Sequence, residues 1–176
     1  MTRYVAFLRG INVSGQKLIK MEALKQYFAM PGFKNIVTYI QSGNVVFDAK
    51  ETDELKLRTK IEKQLFKQLG YDVPVVLRTT DEIKSVIENN PFKNAPPDDA
   101  RKLYVHFLSG TPATELHTAL AAYKNEGEEL LIIQREVYLL TVSYGTTRLT
   151  NSLMEKKLGV TSTARNWATV NKVPEL

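Results

Sequence analysis

The chain has 176 residues, no cysteine and a formal net charge of +5, with 43% hydrophobic and 24% charged residues. This globular composition excludes disulfides, thiol catalysis and zinc–thiolate centres, and it fits a reducing compartment. No apolar run approaches the ~20 residues that span a bilayer. The opening strand is broken by Arg9 and does not read as a secretory signal, so a cytoplasmic protein with no membrane partner is expected.

The first stretch, Tyr4 to Lys17, starts as a buried strand (Val5-Ala6-Phe7-Leu8). It runs into a loop of donors and glycines: Arg9, Gly10, Asn12, Ser14, Gly15, Gln16 and Lys17. Met21, Leu24, Tyr27 and Phe28 then recur at helical spacing, and Pro31-Gly32 stops that helix. A hairpin follows, with Ile36 to Ile40 and Val45 to Phe47 joined by a tight turn at Ser42-Gly43. Leu57, Ile61, Leu65 and Leu69 predict a second helix that ends at Gly70. A strand over Val73 to Leu77 and a short helix from Asp81 complete the first half. Residues 91–101, rich in Pro, Asn and Asp, read as a linker between halves at 1–90 and 102–176. The paired acids Asp98-Asp99 beside Pro96-Pro97 read as solvated.

The pattern then restarts. Val105-His106-Phe107-Leu108-Ser109-Gly110 matches Val5 to Gly10 at an offset of one hundred residues. A helix (Leu116, Ala119, Leu120, Tyr123) and a hairpin over Leu130 to Thr141 follow, with Ile133-Gln134 placed opposite Ile40-Gln41. Next come a helix capped by Thr150, a short strand, and a last helix capped by Thr163 with Trp167 and Val170 inward. The expected fold is α+β: two tandem ferredoxin-like (βαββαβ) halves from an internal duplication, each with an extra C-terminal helix.

Charge is uneven along the chain. Residues 1–48 carry six basic and two acidic side chains, and residues 141–174 five and one. Folding that joins the two ends would give one basic face. Three segments suit an anion, because glycines and helix starts present backbone N–H groups. They are Arg9 to Lys17, Gly145 to Thr150, and Thr161 to Trp167. The plainer readings are a self-bonded loop, a capped hairpin exit and a core tryptophan. Neither phosphate-loop fingerprint nor a GxSxG elbow occurs. His106 and His117 have no third ligand at metal spacing and read as structural, so neither a metal nor a cofactor is expected.

The segments RGINV, IQSGNVVF, NPF and LGV-x-x-T-x-RNW resemble a bacterial family, the domain of unknown function 1697, nearly end to end. The resemblance implies an α+β fold of ferredoxin-like character and carries over no activity or catalytic residue. The chain departs from the family's usual pattern at Ser14, where Gly is common, at Ala168, where Asn is common, and at Arg148, where Lys is common.

The leading expectation is a binder of an anionic, phosphate-bearing small ligand in a basic cleft between the halves. Its candidate ligand-binding residues are Arg9, Asn12, Ser14, Lys17, Gln41, Ser42, Asn44, Arg148, Arg165 and Asn166. The alternatives are a nucleic-acid binder that stacks bases on Phe7 and Phe47, a metal-independent enzyme on a phosphorylated small molecule, and a self-association or partner-binding module.

Overall fold

A computed structural model of the chain describes residues 1–94 and 100–176. Of the expected linker, Pro96-Pro97 and the acids Asp98-Asp99 lie outside the described residues. The chain divides into two compact units. One comprises Met1–Lys84 with Lys172–Leu176, the other Ser85–Asn171. The fold is α+β, with one four-stranded antiparallel sheet in each unit. No helix among the described residues is long and apolar enough to cross a membrane.

In the first unit the elements are β1 (Thr2–Leu8), α1 (Met21–Tyr27), β2 (Phe33–Tyr39), β3 (Asn44–Ala49), α2 (Glu54–Leu69), β4 (Val75–Thr79) and the start of α3 (Thr80–Glu88). The sheet order is β2-β3-β1-β4, so the first strand is interior. That position explains the unbroken apolar run Val5 to Leu8, because an interior strand covered on both faces has no side to leave polar. On the helix-facing side, Tyr4, Ala6 and Leu8 join Leu24, Phe28, Leu57, Ile61 and Leu65 in one core. Phe47 stands at its centre, with its ring centroid 4.5 Å from Phe33, 5.6 Å from Phe28 and 5.8 Å from Tyr4. Such aromatic pairs contribute about 0.5–1.5 kcal/mol beyond area burial. On the other face Val5, Phe7, Val46 and Val76 are buried as well.

Helix ends are set locally. Asp53 caps α2 by accepting from the Lys56 N–H at 3.1 Å, and Gly70, at φ 76°, ends the helix in the left-handed conformation. Thr79 and Glu82 form a reciprocal capping box at α3. The Thr79 hydroxyl accepts from the Glu82 N–H at 3.1 Å, and the Glu82 carboxylate accepts from the Thr79 N–H at 2.7 Å.

In the second unit the strands are β5 (Lys102–Leu108), β6 (Glu129–Ile133), β7 (Glu136–Thr141) and β8 (Ser162–Asn166), in the order β6-β7-β5-β8. Helices α4 (Asn151–Leu158) and α5 (Trp167–Lys172) complete it. The registers of the two sheets match at the hundred-residue offset: Val5 pairs with Arg78 and Val105 with Arg165. The backbone bonds Leu8 N–H to Gly43 O and Leu108 N–H to Arg135 O are both 2.9 Å. Thr150 caps α4 as expected, accepting from the Leu153 N–H at 3.3 Å.

Three local expectations are corrected. Thr114–Tyr123 is a 3-10 helix rather than an α-helix. Its inward row (His117, Leu120, Tyr123) repeats every three residues, the period of a 3-10 turn. Thr163 lies buried within β8, and the cap of α5 is Asn166, which accepts from the Thr169 N–H at 2.8 Å. The first hairpin turns over residues 40–43, with Ile40 at φ 47° outside β2, whereas the second turns over Gln134-Arg135. Pairing therefore sets Ile133 opposite Tyr39 in the comparison, one residue earlier than expected.

Asp48 ties the first unit together. It accepts from Arg3 Nη1 at 2.7 Å and from Asn35 Nδ2 at 2.6 Å, while Arg3 Nη2 donates to the Leu176 carbonyl at 2.5 Å. The Asn35 hydrogen bond, joined by the hydrogen bond and then the charge of Arg3, holds the Asp48 carboxyl below its ordinary value against the opposing effect of burial. A carboxyl depressed in the folded state adds stability above its unfolded value that is lost as pH falls through the folded one. Urea unfolding of Asp48→Asn should therefore show lower stability than the parent at neutral pH and a gap that closes as the pH drops below about 4.

Candidate functional site

The long loop after β1 is a miniature hairpin. Positive φ occurs at Gly10, Asn12, Ser14, Gly15 and Lys17, with values from 48° to 74°. Ser14-Gly15 forms the tip, closed by a Val13–Gln16 bridge with the Gln16 N–H to Val13 O bond at 2.9 Å. Two consecutive left-handed residues make the turn that suits a two-residue hairpin. Ser14 adopts φ 50°, a conformation that glycine takes at less cost, which gives a physical reason for glycine at this position.

Asn12 braces this loop. Its Oδ1 accepts from the Ile19 N–H at 2.7 Å, and its Nδ2 donates to Ile19 O at 3.1 Å and to Gln41 O at 2.7 Å. The last bond joins the loop to the 40–43 turn. Asn44, fully buried, braces that turn from the other side through Tyr39 O at 2.9 Å and Ser42 Oγ at 3.0 Å. Lys17 is fixed across Tyr71, 5.0 Å from the ring centroid, and donates to Asp72 O at 3.3 Å. Arg9 is half-buried where its N–H meets Pro74 O at 2.9 Å. The sequence-predicted residues Arg9, Asn12, Ser14, Lys17, Gln41, Ser42 and Asn44 thus belong to one loop and the turn that it grips. Asn12 and Asn44 spend their amides on the scaffold.

The second unit's candidates do not share partners in this way. Arg148 is exposed and donates to Lys124 O at 3.1 Å and Asn125 Oδ1 at 3.3 Å. Arg165 is buried and donates to Thr163 Oγ1 at 2.7 Å and Ala164 O at 2.8 Å. Burial pushes its guanidinium down to about 9, so it still carries its charge at neutral pH. Its register counterpart Arg78 is buried in the same way and donates to Leu77 O at 2.7 Å. That matched pair of buried arginines was legible in the sequence as Arg165 alone. Asn166 is exposed and occupied as the α5 cap.

One polar cluster escaped the sequence reading. His106, fully buried, holds Asn151 Oδ1 at 3.0 Å and Ser162 Oγ at 3.2 Å from its Nδ1, and the Ser162 hydroxyl donates to Asn151 at 3.2 Å. Ser162 is fully buried too, so the cluster orders the core between β5, β8 and α4. Among the described residues no group of three His, Asp or Glu side chains is placed to hold a metal. Phe7 and Phe47 are both fully buried, which removes the aromatic platform on which the nucleic-acid reading relied.

Gly43 is where the braced turn meets the core. At φ 82°, an added Cβ would stand 2.5 Å from Ile11 Cδ1 and 3.0 Å from Leu8 Cβ. Gly43→Ala should cost about 1–3 kcal/mol, from left-handed strain and overpacking together. Chemical denaturation should show partial recovery when Ile11→Val removes the nearest atom.

The comparisons agree with this architecture. The family model described as "Protein of unknown function (DUF1697)" matches residues 1–138. A solved structure, "conserved bacterial protein SP0830 from Streptococcus pneumoniae", is similar at 24% identity and a TM-score of 0.78, over 99% of this chain and 97% of that one. At that identity the likeness concerns the fold. No curated protein matches the chain. With the family model covering residues 1–138, the chain belongs to the DUF1697 family.

Proposed function

We propose that the first unit binds a phosphate-bearing or similarly anionic small molecule at the loop 9–17 and the turn 40–43. The observation that carries this reading is the bracing of a strained, donor-rich loop by Asn12. Five positions of the loop, Gly10, Asn12, Ser14, Gly15 and Lys17, take left-handed backbone, and left-handed turns of this kind recur in anion-binding nests. Strain of this kind costs about 1–3 kcal/mol per residue and is retained where it serves a site. The cations Arg9 and Lys17 stand at the two ends of the loop, and Lys17 is held in place by Tyr71. Preorganised donors of this sort lose little entropy on binding.

In the same reading, the two units are ferredoxin-like copies of one ancestor, supported by their shared strand order and matched registers. The first copy has specialised through a longer loop and a longer turn. The absence of cysteine fits a reducing, cytoplasmic setting.

The test is a thermal-shift series with inorganic phosphate, nucleotides and sugar phosphates. A ligand that binds only the folded state adds about 2.7 kcal/mol at a hundredfold excess over its Kd. The expected result is stabilisation by at least one phosphate-bearing compound, weakened about tenfold in affinity by Arg9→Ala and by Lys17→Ala. Stabilisation that both variants retain, or no stabilisation by any anion, overturns the proposal.

A further inference from the structure

The outward face of α2 carries a second feature, separate from the loop. With 3.6 residues per turn, Leu55, Lys56, Lys63, Phe66 and Lys67 fall away from the core positions Leu57, Ile61 and Leu65, Lys60 borders that face, and all six are exposed. Leu55 is 61% and Phe66 50% exposed, on a helix whose core face is already complete. Four lysines therefore share a stripe with two apolar residues. The acids around it are occupied. Glu62 borders the stripe and accepts from the Val75 N–H at 2.9 Å. Glu51 accepts from the Thr52 and Asp53 N–H groups at 3.0 Å each. Asp53 caps the helix and lies 3.8 Å from Lys56.

A hollow opens at the start of this stripe, where Phe33, Ala49 and Leu57 give it apolar walls, Lys50, Lys56 and Lys60 edge it, and Glu51 is the one acid in its lining. Lys60 lies 5.0 Å over the Phe33 ring and donates to Pro31 O at 2.7 Å, so it is positioned rather than swinging free. The hollow measures 160 Å³, below the ~300 Å³ at which small-molecule pockets begin, and suits a single apolar side chain.

We propose that this face docks an acidic segment of a partner protein. One apolar side chain of that segment enters the hollow, and flanking carboxylates meet Lys56, Lys60, Lys63 and Lys67. A lipid surface fits less well. Leu55 and Phe66 are eleven residues, about 16 Å, apart along the helix with Thr59 and Glu62 between them on that side, so they form no continuous apolar stripe to immerse. A nucleic-acid backbone supplies charge but no apolar side chain for the hollow.

The experiment is fluorescence anisotropy of the full chain with a fluorescein-labelled synthetic peptide of glutamates interspersed with leucines. Oligothymidylate and phosphatidylserine-containing vesicles serve as comparison probes. The expected result is salt-sensitive peptide binding. It should weaken at least tenfold in Lys56→Glu/Lys63→Glu and in Leu55→Ser/Phe66→Ser, and stay unchanged in Arg9→Ala, which separates this face from the loop site. Circular dichroism on the same samples confirms that these surface variants are folded. The proposal is overturned if the peptide does not bind or if both double variants bind it like the parent. It is equally overturned if oligothymidylate or the vesicles bind more tightly with the same residue dependence.

Discussion

Two backbone hydrogen bonds at the end of β1 set the rest of the first unit. The Leu8 N–H bonds Gly43 O and the Arg9 N–H bonds Pro74 O, each at 2.9 Å. They fix the point at which an interior strand stops pairing and the chain is released as a loop. The approach depends on a missing side chain, since a Cβ at Gly43 would collide with Ile11 and Leu8. Ile11, 2% exposed, then plugs the loop's first turn into the core, and Asn12 grips the neighbouring hairpin turn. Scaffold thus passes into loop within four residues, and loop geometry is inherited from sheet register.

The second unit repeats the two bonds through Leu108 to Arg135 and Ser109 to Thr161, both 2.9 Å, yet builds nothing comparable on them. Its hairpin turns over two residues where the first unit uses four, and Ser109-Gly110-Thr111-Pro112 replaces the long loop. Its core differs as well. Unit one stacks Tyr4, Phe33 and Phe28 around Phe47. Unit two places a hydrogen-bonded set of buried His106 and Ser162 with half-buried Asn151 on the corresponding side of its sheet. A buried hydrogen-bonded cluster specifies a packing arrangement at the risk of high cost if any partner is lost. One framework therefore supports an aromatic-centred apolar core beneath a specialised loop, and an apolar core that admits one polar cluster beneath a plain one.

Much of this was legible in the sequence because the signals are local or periodic. The run Val5 to Leu8, the Leu57–Ile61–Leu65 spacing, the Gly70 stop and the Thr150 cap all depend on a few neighbouring residues. The hundred-residue echo was readable for the same reason. What escaped depends on tertiary context. Ile40 looks like strand, and takes φ 47° as the first residue of its turn, just as Gln134 takes φ 54° in the second hairpin. Thr163 looks like a cap, and lies in a strand because β8 pairs with β5 as far as Asn166. His106 and Ser162 are 56 residues apart, and no spacing rule links them. In the site itself, the loop's donors were visible, but the assignment of Asn12 and Asn44 to bracing needed the distances.

Amide hydrogen exchange over residues 8–19 tests the account most directly. A preorganised loop requires that the Ile19 amide, held by Asn12, and the Gln16 amide, held by Val13, be protected in the ligand-free protein. The expected result is protection of Ile19 within about tenfold of Leu8, with Gln16 slower than an unstructured peptide. Exchange at unstructured rates from Asn12 to Ile19, with Leu8 still protected, would mean a loop that orders only when filled, and would contradict the account.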